Sequence, residues 1–220
     1  MKAIIFDMDG VLVDVSKSYR IAIKETAEYF LGEEISKEEI QKLKNQGGFN
    51  DDVDLTEALV SMRGKMPNRK RIVKKFNELY DKLKENEVWL LDFEILRKLH
   101  LKYKLGIVTG RLRKDADYTL KKANAERFFE AVIAMEDVPT NKKKPDAYGL
   151  KLAIARLGAT EVFYFGDNID DMKMAVNAAA IPIGVLPPGI NGALRGLLIE
   201  NGAKEVLDNI NSLLTLVNNN

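Results

Sequence analysis

Ala3-Ile4-Ile5-Phe6-Asp7-Met8-Asp9-Gly10-Val11 runs from four apolar residues straight into two aspartates spaced i, i+2, and then a glycine. The apolar run reads as a buried strand. Carboxylates at the end of a buried strand are costly unless a metal ion or hydrogen bonds satisfy them. The stretch therefore points to a metal site with a working carboxylate. The plain alternative is a strand that enters an Asx-turn at Asp9-Gly10.

Outward from this stretch, short β-branched-rich runs recur at Lys104–Val108, Ala131–Met135, Glu161–Phe165 and Ile181–Leu186. Helical patterns over 113–125, 147–157 and 171–179 separate the later ones. Such alternation predicts an α/β fold with a parallel sheet and crossover helices. The segment 203–217 reads as a closing amphipathic helix. Residues 15–90 differ: they carry helical patterns at 16–30, 55–63 and 69–85 and no strand pattern. Ser36-Lys37-Glu38-Glu39 is a capping box opening one further helix there. An all-helical domain is thus expected at 15–90, inserted into a core made of 1–14 and 91–220.

Composition narrows the classes. Lys and Arg number 34 against 33 Asp and Glu, a net charge of +1, so no global field recruits nucleic acid or an anionic membrane. With no cysteine and one histidine, His100, disulfides, thiolate metal sites and His-based triads are excluded. The apolar run at the start is too short for a signal peptide, and no stretch has the length of a membrane span. A soluble, cytoplasmic protein is expected, with a monomer as the default.

Four polar groups follow putative strands, where ligands of open α/β sheets bind. They are Asp7-Met8-Asp9, Thr109-Gly110-Arg111, Lys144-Pro145, and Gly166-Asp167-Asn168-Ile169-Asp170-Asp171. This set suits phosphoryl transfer through a carboxylate. Asp7 is a nucleophile that needs no base to ionise it. Asp7 and Asp167 supply the hard oxygen ligands of Mg2+, which neutralises the negative reactants. The Thr109 hydroxyl, the Gly110 amide and the Lys144 ammonium hold phosphoryl oxygens. Asp9 protonates the leaving alkoxide and later takes a proton from water.

In these four motifs, in this order, the chain resembles the haloacid dehalogenase-like hydrolase superfamily. The resemblance implies a Rossmann-like parallel sheet of order 5-4-1-2-3 and an aspartyl-phosphate on Asp7. It also implies Mg2+ held by Asp7, the Asp9 backbone carbonyl and Asp167, with Asp171 behind them. Asn168 departs from the Ser or Thr often found there. Lys144 follows Arg111 by only 33 positions, which one helix and one strand fill, so the inserted cap lies between the first two motifs. That placement resembles the phosphoglycolate phosphatase and β-phosphoglucomutase branch. The loop at 44–52 resembles the branch's specificity loop, with Asn45, Gln46, Gly47, Gly48 and Asn50 as candidates for the leaving group. It also resembles an uncharacterised group related to imidazoleglycerol-phosphate enzymes.

Asp9 separates the reaction types, since dehalogenases and phosphonatases usually lack an aspartate two residues after the nucleophile. The expectation is a phosphatase acting on a small phosphorylated metabolite. A phosphomutase, a dehalogenase and a non-catalytic binding protein are the alternatives. His100 reads as a helix-end surface residue, and the basic residues between Arg63 and Lys75 as a solvated helix face. Arg111 reads equally well as facing the site or solvent.

Overall fold

The computed structural model describes residues 1–49, 51–66, 68–190 and 192–218, in two compact units: Met1–Asp14 with Trp89–Asn220, and Val15–Val88. In the first unit, six parallel strands form the sheet. They are β1 (Lys2–Phe6), β4 (Lys104–Val108), β5 (Ala131–Ile133), β6 (Glu161–Gly166), β7 (Ile181–Val185) and β8 (Glu205–Leu207). Their spatial order is β5-β4-β1-β6-β7-β8. Numbered among core strands alone, the first five stand in the expected order 5-4-1-2-3, and β8 extends the sheet beyond the fifth. The two-residue strands β2 (Val13–Asp14) and β3 (Val88–Trp89) mark where the chain leaves and re-enters this unit. Leu90 N–H donates to the Leu12 carbonyl at 2.9 Å, so the outgoing and returning chains are tied together.

β1 is central because it can be buried on both faces. Ala3, Ile4, Ile5 and Phe6 are fully buried, as expected for an uninterrupted apolar run in a parallel sheet. Each large side chain buried there contributes about 1.5–3 kcal/mol before entropy is counted. Phe6 pairs with Ile107 of β4 and Phe165 of β6, and its ring stacks on Phe165 at 5.4 Å. One face of the sheet is covered by α7 (Tyr148–Leu157) and α8 (Ile169–Asn177), through Leu150, Ala153 and Met174 packed on Ile5, Ile133 and Tyr164. On the way to β4 the chain forms α5 (Phe93–His100), and after β4 it forms α6 (Arg113–Ala123). His100 is exposed at the end of α5, with its ring edge-on to Phe128 at 5.6 Å.

The end of the chain departs from the sequence reading. In place of one helix over 203–217 there is strand β8, a 3-10 turn at Ile210–Ser212 and a short helix, α10 (Leu213–Asn218). Val206, Ile210, Leu213 and Val217 follow each other at spacings of four, three and four, which imitates a helix. They are nevertheless buried from a strand, a turn and a helix in succession. α9 (Ala193–Glu200) was also not foreseen; Gly196 inside it lowers its intrinsic propensity. Leu194 and Leu198 of α9 pack with Leu186 and Val206 beside the β7–β8 edge.

The second unit holds α1 (Tyr19–Leu31), α2 (Lys37–Lys44), α3 (Asp52–Ser61) and α4 (Arg69–Leu83). It ends at Val88, two residues before the boundary expected from sequence. Trp89 belongs to the first unit because its ring packs against Phe93 and Phe129. Within the helical unit, Tyr19 stacks on Tyr80 at 4.1 Å, and Ala22, Ile23, Leu55, Leu59, Ile72 and Phe76 fill the core. The capping box opens α2 as read: Glu39 N–H donates to Ser36 Oγ and Ser36 N–H to Glu39 Oε2, both at 3.1 Å. Much of the basic stretch is paired. Arg63 meets Glu33 and Glu39, and Arg69 reaches Asp54 at 2.6 Å and Glu57 at 2.7 Å. Among the described residues, no helix is long and apolar enough to cross a membrane.

Candidate active site

Asp7 is the first residue beyond β1. Its N–H continues the β1–β6 ladder by donating to the Phe165 carbonyl at 2.7 Å. The chain then turns sharply, with Leu12 and Val13 N–H both donating to the Met8 carbonyl at 2.9 Å. Gly10 sits in this turn at φ +76°, in the left-handed region that favours glycine. A Cβ on Gly10 would lie 2.3 Å from Asp167 Oδ2 and 3.0 Å from Pro187 Cγ. The absence of a side chain at Gly10 therefore brings Asp167 close to the first loop.

Asp167 follows β6, and Asn168 starts α8. Asn168 Oδ1 accepts from the N–H groups of Asp170 at 2.9 Å and Asp171 at 3.2 Å. In return, Asp171 Oδ2 accepts from the N–H groups of Asp167 at 3.2 Å and Asn168 at 3.3 Å. This is a capping box built from Asn and Asp, and it turns Asp171 back toward the strand ends. Gly166 permits the approach, since a Cβ there would overlap Asp171 Cβ at 2.3 Å.

Lys144 closes the arrangement. Its buried ammonium donates to Asp7 Oδ1 and to Asp171 Oδ1, each at 2.7 Å. Tyr164, fully buried in β6, donates its hydroxyl to Asp171 Oδ1 at 2.9 Å. Asp171 is thus saturated by one ammonium, one hydroxyl and two amides. Sequence reading missed Tyr164. The available signal was a hydroxyl inside an otherwise apolar strand, which needs a partner when buried.

Asp7, Asp167 and Asp171 each offer a carboxylate oxygen, and these atoms lie within 4.8 Å of one another. Burial pushes the Asp7 carboxyl well above the ordinary range; Lys144 opposes this, while Asp171, Asp167 and Asp9 add to it. Burial also disfavours the Lys144 charge, but Asp171 and Asp7 outweigh that and hold the ammonium well above its usual value. Burial, followed by Asp171, raises the Tyr164 phenol and keeps it a donor. Asp7, Asp167 and Asp171 present an all-oxygen donor set. That set fits a hard divalent cation such as Mg2+.

Asp9 pairs with Arg111. Its Oδ1 accepts from Arg111, at 2.7 Å from Nε and 2.5 Å from Nη2. Arg111, which the sequence left open between site and solvent, is buried. Thr109 is buried at the end of β4, and its Oγ1 accepts from Arg111 N–H at 3.1 Å. Gly110 lies between them. The first unit therefore gathers Asp7, Asp9, Thr109, Gly110, Lys144, Asp167 and Asp171 at the carboxyl ends of β1, β4 and β6 and in the loop after β5. Asn45, Gln46, Gly47 and Gly48 belong to the helical unit, just after α2, where Asn45 Oδ1 accepts from Gln41 Nε2 at 2.7 Å. Asn50 lies outside the described residues.

Comparison with known proteins gives the family. A family model described as haloacid dehalogenase-like hydrolase matches residues 4–185. The chain is 36% identical over 202 residues to an imidazoleglycerol-phosphate dehydratase of Phytophthora nicotianae. That alignment covers 86% of this chain and 44% of the relative, so the chain spans less than half of the relative's length. Identity to the pyrophosphatase PpaX of Bacillus velezensis is 28% over 193 residues, covering 83% of this chain and 82% of the other. A conserved haloacid dehalogenase-like protein of unknown function from Agrobacterium tumefaciens has the same fold. It superposes with a TM-score of 0.81 at 18% identity, over 99% of this chain and 97% of that one.

Proposed function

The chain belongs to the haloacid dehalogenase-like hydrolases, and from that premise we propose that it is a Mg2+-dependent phosphatase of a small phosphorylated metabolite. The observation that carries this reading is the Asp7–Lys144–Asp171 contact beside Asp167, at the carboxyl ends of the sheet. Asp7 and Asp167, with the Asp9 carbonyl, would hold the metal, and Asp171 would orient Lys144. When bound, Mg2+ supplies charge neutralisation and Lewis acidity.

The side chains perform the rest. An Asp7 oxygen bonds to phosphorus, the bond from phosphorus to the leaving oxygen breaks, and Asp9 gives that oxygen a proton. Water then bonds to phosphorus and passes its proton to Asp9. The Asp7–phosphorus bond breaks, and phosphate departs. Thr109, Gly110 and Lys144 hold the phosphoryl oxygens through both transfers. Asp9 also sets this reading apart from dehalogenation, which has no leaving alkoxide to protonate. In the helical unit, Asn45, Gln46, Gly47 and Gly48 are proposed to select the leaving group, as the resemblance of that loop suggests.

A panel of phosphate monoesters with Mg2+ tests the reading. Imidazoleglycerol phosphate belongs in it, and inorganic diphosphate, an anhydride, beside it, because the names of the two relatives point to them. Mg2+-dependent phosphate release that disappears in Asp7→Asn is expected. Isomerised product without net phosphate release would assign a mutase instead. Full activity in Asp7→Asn, or in chelator, would overturn the mechanism.

A further inference from the structure

We propose that Arg111 is a positioning residue that holds Asp9 in place for both proton transfers. This rests on the reading of Asp9 as the acid–base group given above. The Arg111 side chain is 1% exposed, while that of Asp9 is 28% exposed. The guanidinium is therefore behind Asp9 and the carboxylate is in front. Nε and Nη2 both contact Asp9 Oδ1, and Nη1 donates to Thr119 Oγ1 on α6 at 2.6 Å. The backbone of Arg111 is fixed as well. Its N–H donates to Thr109 Oγ1, and its carbonyl accepts from Met135 N–H at 2.9 Å.

All three guanidinium nitrogens thus work within the protein, which leaves Arg111 poorly placed to bind substrate. Its contacts fall on one Asp9 oxygen, which leaves the other for proton transfer. A partly exposed aspartate without a fixed partner samples several rotamers. A fork anchored to α6 selects one of them without consuming the oxygen that does the chemistry. Lysine keeps the charge but cannot span Asp9 and Thr119 together.

Two substrates separate this role from a structural one. p-Nitrophenyl phosphate loses its leaving group as the phenolate, which needs no proton, so the first transfer proceeds without Asp9. Hydrolysis of the Asp7 phosphate still requires water to lose a proton to Asp9. An alkyl phosphate such as glycerol phosphate needs Asp9 in both steps. For Arg111→Lys and Arg111→Met with p-nitrophenyl phosphate, kcat is expected to fall about ten- to a hundredfold while kcat/KM is unchanged. Rapid mixing should show one equivalent of nitrophenolate before the slow phase. With glycerol phosphate, kcat/KM itself should fall by a similar factor.

Thr119→Val retains Arg111 and removes its Nη1 contact on α6, so it should show the same split at smaller amplitude. It keeps the test available if the arginine variants fold poorly. Asp9→Asn is the reference. If it shows the split while the Arg111 and Thr119 variants lose both substrates equally, or lose neither, Arg111 does not position Asp9. If Asp9→Asn itself lacks the split, the acid–base reading of Asp9 fails and the proposal falls with it.

Discussion

Replacing Gly10 by alanine probes the approach of Asp167 to the first loop, and its cost divides into two parts. The first is conformational. At φ +76° an L-residue costs about 1–2 kcal/mol more than glycine. The second is steric. The new Cβ would stand 2.3 Å from Asp167 Oδ2, whereas a relaxed C···O contact is about 3.3 Å or more. The carboxylate must retreat by about 1 Å, because Pro187 Cγ, at 3.0 Å, limits movement of the loop in another direction. A displacement of that size at a reacting centre costs about a hundredfold in rate. Gly158→Ala isolates the conformational part. Gly158 is also in the sheet unit, at φ +60°, with no atom within 4 Å of its Cβ position.

Melting curves with and without Mg2+, together with phosphate release, provide the assay. Gly158→Ala should lower Tm by about 2–8 °C, given about 2–4 °C per kcal/mol at this size, and leave activity intact. Gly10→Ala should lower Tm by at least as much, lose the Tm rise caused by Mg2+ and lose about a hundredfold in kcat/KM. A Gly10→Ala protein with the wild-type Mg2+ response and rate would refute the claim that this glycine sets the place of Asp167.

Other perturbations have equally definite outcomes. Lys144→Met strips Asp7 and Asp171 of their shared cation and should cost about 3–5 kcal/mol in urea denaturation without metal; Mg2+ should recover part of it, and an unchanged midpoint would contradict the pairing. Tyr164→Phe removes one donor from buried Asp171 and should cost about 1–3 kcal/mol, read from the same curves. In the helical unit, the Ser36 amide and then Arg63 hold the Glu39 carboxyl below its ordinary value. The folded form therefore binds this proton less readily than the unfolded chain. The resulting stability is present above the ordinary glutamate pKa of about 4.3 and lost as pH falls through the lower folded value. Protection of the α2 amides, taken relative to their intrinsic exchange rate at each pH, should fall over that acid range, and Glu39→Gln should remove the fall; persistence of the pH dependence in that variant would assign it to another group.

The elements legible in sequence were those whose signal is local. β1 announces itself by four apolar residues ending in Asp7, and α2 by its capping box. The α8 segment was recognisable from the helical pattern over 171–179, which is shifted two residues toward the C-terminus from the observed helix at each end. β8 and α10 were not, because the 4-3-4 spacing of Val206, Ile210, Leu213 and Val217 satisfies a helix as well as a strand–turn–helix. In the site, the residues of the four motifs were named from order and placement. Arg111 was named without a direction, since nothing local distinguishes an arginine facing Asp9 from one facing water. The Thr119 hydroxyl that settles its direction lies eight residues on and one helix away. Tyr164 was hidden for a similar reason: its partner Asp171 reaches it only because α8 turns back over β6.

The central place of β1 has a consequence for how the chain is made. Both neighbours of β1 are distant in sequence: Ala3 pairs with Lys104 on one side and with Val162 on the other. A ribosome adding about 5–20 residues each second takes several seconds or more to supply the first partner, and longer for the second. Through that interval Ala3–Phe6 is an apolar strand with both edges open. The helical unit, whose contacts are closer in sequence, can close on itself in the meantime. The segment that ends in Asp7 is thus synthesised long before the sheet that shelters it.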